Sequence, residues 1–282
     1  MSNVDWKGFL ARFSRFGRDP TPARYLDLFA ADGTVQHPGM PRPLGGDEIG
    51  RFIATALSAA PDFRLEPVRW CARDDTLFVE AATSGTVRGR PAAWAAIYCV
   101  TLRGDRVLRG RSYYDRAAVS SRRGPGLAHV DIEKAADDAR NGEHLASPEL
   151  QANLIEPYIA GWRDPQPERL ARFYAPIGRL RAPDIPGALS GDDIAHHYRT
   201  QLAEMDELQR HCQTWAGRPG QAFFEWRMTG AMAGRPFDIG GAERLTLDGC
   251  RIAESVSYFD TLALAAVRDP SVAPTTVFDT AR

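Results

Sequence analysis

The chain has 282 residues, 44% hydrophobic and 25% charged, with a formal net charge of −1. This is the composition of a soluble globular protein, long enough for two ordinary domains. A charge so close to zero excludes nucleic-acid binding by field alone, and no apolar stretch approaches the roughly 20 residues that span a bilayer.

In chain order, Trp6, Phe9, Leu10, Phe13 and Phe16 recur at spacings of three and four, which predicts an amphipathic helix. Asp19-Pro20 punctuates the chain, and a second helix is predicted over 22–30, with Pro22 in its first turn. A short strand over 34–37 closes on Pro38. Asp47 is placed to cap a third helix over 48–59. The rest of this half reads as strands: 77–83, then Gly85-x-x-x-Gly89-Arg90-Pro91, 92–102, a hairpin turn at Arg103-Gly104-Asp105, and 107–114. Ser120 to Gly126 is turn-rich, and a charged helix is predicted at about 130–140, stopped by Asn141-Gly142.

The order then begins again. Leu150, Leu154, Tyr158 and Trp162 repeat the first helix. Helices over 167–174 and 193–205, and strands over 179–182, 222–228, 237–247 and 252–259, follow as before. Residues 19–115 fall on 164–260 at an offset of 145 without a gap, and 29 of the 97 positions are identical. Unrelated chains would match at roughly one position in fifteen. A period of this length is a duplicated domain, not a solenoid repeat. The expected organisation is a first domain over 1–118, a linker over 119–147, a second domain over 148–268 and a tail over 269–282. Helices followed by a run of antiparallel strands make each domain α+β.

Cys71, Cys99, Cys212 and Cys250 form no CxxC pair, and none falls on another across the repeat. They read as reduced thiols in a cytoplasmic protein. Residues 1–20 lack the apolar core of a signal peptide. All but two of the basic residues are arginine, which reads as the codon bias of a GC-rich bacterial genome. Neither a glycine-rich phosphate loop nor metal-ligand spacing is present, so no metal, nucleotide or flavin cofactor is expected. His196-His197 has no acidic or Cys partner at a useful spacing.

The runs Phe29-Ala-Ala-Asp-Gly-Thr-Val-x-His37-Pro38, Gly46-Asp47-x-Ile49 and Glu-x-x-x-x-Gly-x-x-x-Gly-Arg-Pro from Glu80 and Glu225, with the endings Gly249-Cys250-Arg251-Ile252 and Tyr258-Phe259-Asp260, resemble the SnoaL-like branch of the NTF2-like (cystatin-like) superfamily. The resemblance covers both copies. It implies two tandem α+β cones, each with three helices on a curved, mainly antiparallel sheet around an apolar pocket, paired sheet to sheet as an intramolecular pseudo-dimer. It also implies cofactor-independent acid–base chemistry of the cyclase, isomerase or dehydratase (lyase) kind on a hydrophobic small molecule. A non-catalytic binding protein is the alternative.

The duplication sorts the candidate site residues. Asp115 and Asp260 end the last strand of each copy. SnoaL-type cyclases place a catalytic Asp on a late strand, so the resemblance makes both candidates; as turn caps they would serve the fold alone. His37 falls on Ala182 and ends a strand that borders the pocket in this family. Tyr98 falls on Glu243, and strand alternation puts Trp94, Ala96, Tyr98 and Val100 on one face and Ile239, Gly241, Glu243 and Leu245 on its counterpart. Glu243 is then either a buried base or the partner of an Arg from another strand. Trp94, Tyr98, Tyr113, Trp226 and Tyr258 are the aromatic candidates for substrate contact. Glu225 and Arg227 share a strand face and read as a structural ion pair.

Overall fold

The computed structural model describes residues 4–120 and 141–272. The expected helix at 130–140 lies outside the described residues. The chain divides into two units, with the break between Asn141 and Gly142.

In the first unit, helices α1 (Trp6–Arg18) and α2 (Pro22–Leu26) lead to β1 (Phe29–Gln36) and the two-residue β2 (Leu44–Gly45). Helix α3 (Asp47–Ala59) precedes β3 (Arg64–Arg73), β4 (Thr76–Val87), β5 (Arg90–Arg103) and β6 (Arg106–Tyr113), and α4 (Arg116–Ser120) follows. In the second unit, helix α5 (148–161) has a π-helical middle turn, Gln151–Ile155. It is followed by α6 (Pro167–Ala171), β7 (Tyr174–Arg181), β8 (Leu189–Ser190), α7 (Asp192–Ala203), β9 (Met205–Arg218), β10 (Gln221–Met232), β11 (Arg235–Asp248), β12 (Arg251–Tyr258) and α8 (Thr261–Arg268).

Within the units the strand orders are β2-β1-β6-β5-β4-β3 and β8-β7-β12-β11-β10-β9. Neighbours are antiparallel except β1 with β6 and β7 with β12, which run parallel. Strands β4 and β10, β5 and β11, and β6 and β12 begin and end 145 residues apart. The duplication is therefore a duplication of fold, and both copies are α+β as expected.

The helices cover one face of each sheet. Phe9, Phe13 and Phe16 of α1 and Ile49, Ile53 and Ala56 of α3 pack with Leu65, Leu77, Val79 and Val100 of the strands. Leu154 and Tyr158, Ile194 and Tyr198, and Phe224 and Leu245 do the same in the second unit. The hairpin turns Arg88-Gly89 and Ala233-Gly234 have φ of 50° and 75°, and 51° and 73°. Two consecutive positive φ values make the turn that matches strand twist, which explains the glycine in each Gly-Arg-Pro run. Gly33 and Gly178 answer to a different demand. A Cβ there would lie 2.6 Å from the carbonyl oxygen of Val107 or of Ile252 on the neighbouring parallel strand. Gly33→Ala is therefore expected to cost about 1–3 kcal/mol through overpacking. Gly45→Ala, where the nearest atom is 3.7 Å away, should leave the melting temperature unchanged. Thermal melts of the two variants check this.

The structure departs from the sequence reading in four places. The helices predicted over 22–30 and 167–174 stop at Leu26 and Ala171, because Phe29 and Tyr174 already pair with Val107 and Ile252. The strands Arg64–Arg73 and Met205–Arg218 were not predicted as separate elements, and Met205 belongs to the strand, not to the third helix. Gly46 and Gly191, at φ of 52° and 56°, are the N-caps of α3 and α7. Asp47 and Asp192 stand one position later, where a carboxylate still complements the helix dipole. Finally, Arg227 pairs with Asp238 on the next strand, not with Glu225, which is buried.

Candidate functional site

Each unit has a cavity between its helices and its sheet. The first, of about 50 Å³, is lined by Phe16, Tyr25, His37, Phe52, Phe63, Trp94, Tyr98 and Tyr114 among others. His37 follows the last residue of β1, where Pro38 ends the strand by lacking an N–H. Its ring stacks on Phe52, 4.8 Å between centroids. Its Nε2 lies 3.0 Å from the Tyr25 hydroxyl. Its Nδ1 lies 2.7 Å from the Ser112 Oγ. A neutral imidazole has one donor and one acceptor nitrogen, so His37 accepts from one hydroxyl and donates to the other. Burial pushes its pKa down to about 4, which leaves the ring uncharged at neutral pH. Burial likewise raises the Tyr25 and Tyr98 phenols above their ordinary range. Ser112 on β6 is the cross-strand partner of Tyr98 on β5, and alternation along β5 carries Trp94 to the same face.

The second cavity, of about 40 Å³, is lined by Trp162, His197, Tyr198, Gln201, Arg210, Trp226, Glu243 and Ser257 among others. Glu243 is 1% exposed. One carboxylate oxygen accepts from Ser255 Oγ at 2.5 Å, the other from Arg210 Nη2 at 2.7 Å, and the Tyr158 hydroxyl stands 2.9 Å from both. The Arg210 guanidinium lies between the rings of Trp162 and Trp226, 4.1 and 4.6 Å from their centroids. Trp226 lies flat over Gly241, its cross-strand partner, where a Cβ would meet the ring at 2.1 Å. At the offset of 145, Tyr158, Arg210, Glu243 and Ser255 fall on Phe13, Leu65, Tyr98 and Gly110. His37 and Tyr25 fall on Ala182 and Leu170. The copies thus keep one cavity each but furnish it with polar groups at different places.

The structure brings His37, Trp94 and Tyr98 together in the first cavity and Glu243 and Trp226 in the second. Asp115 and Asp260 line neither. Asp115 Oδ1 accepts from the Ala117 N–H at 3.1 Å, and Asp260 Oδ1 from the Leu262 N–H at 3.3 Å, so these carboxylates cap α4 and α8. Tyr113 and Tyr258 also stand outside both linings; the serines before them, Ser112 and Ser257, point to the cavity side, and strand alternation turns the tyrosines away. Sequence reasoning missed Tyr25, Ser112 and Tyr114 in the first site and Arg210, Tyr158 and Ser255 in the second. The pairing of Leu65 with Arg210 was a usable signal, a polar residue in one copy only.

Among the described residues no group of three or more His, Cys, Asp or Glu is placed to hold a metal ion, and no helix is long and apolar enough to cross a membrane. Residues 9–110 and 155–255 each match the family model described as the SnoaL-like domain. The chain belongs to the SnoaL-like domain family. It does so twice, once for each structural unit. No curated protein matches the sequence. Among solved structures, a protein of ketosteroid isomerase-like fold from Catenulispora acidiphila, in complex with trimethylamine, is 18% identical, with 43% of this chain and 93% of that one covered and a TM-score of 0.38. TsrD from Streptomyces laurentii is 16% identical over 44% of this chain and 98% of its own, with a TM-score of 0.39. The pinacolase BvnE from Penicillium brevicompactum is 10% identical over 45% and 96%, with a TM-score of 0.39.

Proposed function

We propose that this SnoaL-like protein is a cofactor-independent acid–base enzyme of the cyclase, isomerase or dehydratase kind, and that its chemistry lies in the first repeat, on a hydrophobic small molecule. The observation that carries this is His37, an uncharged imidazole on an apolar cavity wall with a hydroxyl on each ring nitrogen. Held near pKa 4 by burial, such a ring is a weak base. It strengthens as a proton leaves a carbon beside a carbonyl, because the developing enolate stabilises the imidazolium. Tyr98, on the same wall, can donate its O–H to the enolate oxygen. Of the four ionisable candidates we assign proton transfer to His37, helix capping to Asp115 and Asp260, and the hold on Arg210 to Glu243.

The test is exchange of α-hydrogens for deuterium in a panel of small cycloalkyl and aryl ketones, followed by NMR in D2O. The wild type should accelerate exchange over buffer. His37→Ala should lower the rate by at least about tenfold, below the 10²–10⁴ that general acid–base groups contribute, without a change in fold by circular dichroism. Unchanged rates in a folded His37→Ala protein would contradict the assignment.

A further inference from the structure

We propose that the cavity of the second repeat is a separate binding site for a small neutral molecule bearing a hydrogen-bond-accepting oxygen, such as a ketone, with that oxygen held at Arg210. The inference is independent of the role given to His37.

The two cavities differ in which donors are already used. In the first cavity the polar groups around the imidazole satisfy one another, since Tyr25 and Ser112 both bond His37. In the second they do not. Arg210 spends Nη2 on Glu243, and its Nε and Nη1 make no hydrogen bond to any described residue. Its faces are covered by Trp162 and Trp226, so only the edge of the guanidinium is left to a ligand. Ser257, Gln201 and His197 line the same cavity, and among the described residues their side chains make no hydrogen bond. The equivalent positions in the first repeat hold Ser112, Ala56 and Phe52, of which only the serine is polar, and it is bonded to His37. The buried indole N–H of Trp226 is also without a hydrogen-bond partner. An indole N–H kept out of water without a partner carries a desolvation cost that an acceptor oxygen relieves, and the free edge of Arg210 faces the same cavity.

Charge selects the class of oxygen. Arg210 is already matched by the Glu243 carboxylate at 2.7 Å, and burial lowers the pKa of His197, keeping that ring uncharged. An anion would therefore add an uncompensated charge to a low-dielectric site, whereas a carbonyl adds none. Leu180, Ala182, Met228 and Phe259 supply the apolar remainder of the wall.

Indole N–H signals of Trp162 and Trp226 in a proton–nitrogen correlation spectrum, assigned with Trp→Phe variants of the full chain, report on this cavity and not on the first. Cyclohexanone, cyclohexane and cyclohexanecarboxylate share a six-membered ring and offer the donors a neutral acceptor, none and an anion. Cyclohexanone should move both signals saturably in the wild type and in His37→Ala, and should bind at least about tenfold more weakly to the paired variant Arg210→Leu/Glu243→Tyr, the loss expected for a hydrogen bond to a charged donor. If that pair does not fold, Ser257→Ala/Gln201→Ala should weaken binding several-fold by the same loss of donors. Equal binding of cyclohexane, tighter binding of the carboxylate, no response to cyclohexanone, or undiminished binding to the folded paired variant lacking Arg210 would each overturn the proposal.

Discussion

Glu243→Gln should destabilise the protein by about 3–5 kcal/mol, because removing one partner of a buried ion pair leaves the other charge without compensation. Arg210 is 8% exposed at its side chain and Glu243 1%, so bulk water replaces little of the lost interaction. For a unit of this size the loss amounts to a drop of about 10–20 °C in melting temperature. The paired replacement Arg210→Leu/Glu243→Tyr should behave quite differently. It installs the residues that the first repeat carries at these positions, Leu65 and Tyr98, in the same cross-strand register. Exchange of a buried ion pair for apolar residues of similar volume is often neutral or stabilising. The double variant is therefore expected to melt well above Glu243→Gln and close to the wild type. A double-mutant cycle in denaturant checks the pair. A folded Glu243→Gln protein as stable as the wild type would show that the network is not under the electrostatic tension argued here.

The second large effect is one of pH. The imidazole of His37 titrates near 4 in the folded protein against 6.5 for a free side chain. Between these values the unfolded chain takes up a proton that the folded chain refuses. Stability is thus fully present above pH 6.5 and falls as the pH drops toward 4. The loss from this one group is about 3 kcal/mol, at 1.36 kcal/mol per pKa unit. His37→Gln cannot be protonated, and its stability should lack this slope while keeping every other pH-dependent contribution. Urea unfolding of both proteins across this window gives the difference directly. Parallel pH profiles would show that His37 is not held neutral by burial.

Much of the fold was legible in the sequence because the chain states it twice. Matching punctuation at Asp19-Pro20 and Asp164-Pro165, and at the two Gly-Arg-Pro turns, fixes the length of the repeat and the ends of most elements. Strands β3 and β9 escaped because they end their sheets within the units. Pro67 sits in β3 beside a register shift, where a missing N–H is tolerated, and β9 reads Met-Asp-Glu-Leu-Gln-Arg-His, without the apolar alternation of a half-buried strand. The same gap hid Arg210, for a charged residue on an unrecognised strand is most simply read as solvent-facing. Tyr158 was hidden by its own pattern, since it lies on the apolar stripe of a helix and only its hydroxyl, reaching Glu243, marks it as polar. His37 and Glu243 were legible as polar residues present in one copy only. Their partners were not, because Ser112 occurs in both copies and Tyr25 sits on a short helix whose sequence pattern does not single it out.

Duplication gave two cavities of one fold, and we assign proton transfer to the first alone. The most direct test compares α-deuteration of the same ketone by the wild type, His37→Ala and Arg210→Leu/Glu243→Tyr. The expected result is a loss of at least about tenfold in His37→Ala and a rate close to wild type in the paired variant. Exchange that survives in His37→Ala and disappears with Arg210 and Glu243 would place the chemistry in the second repeat and contradict the account.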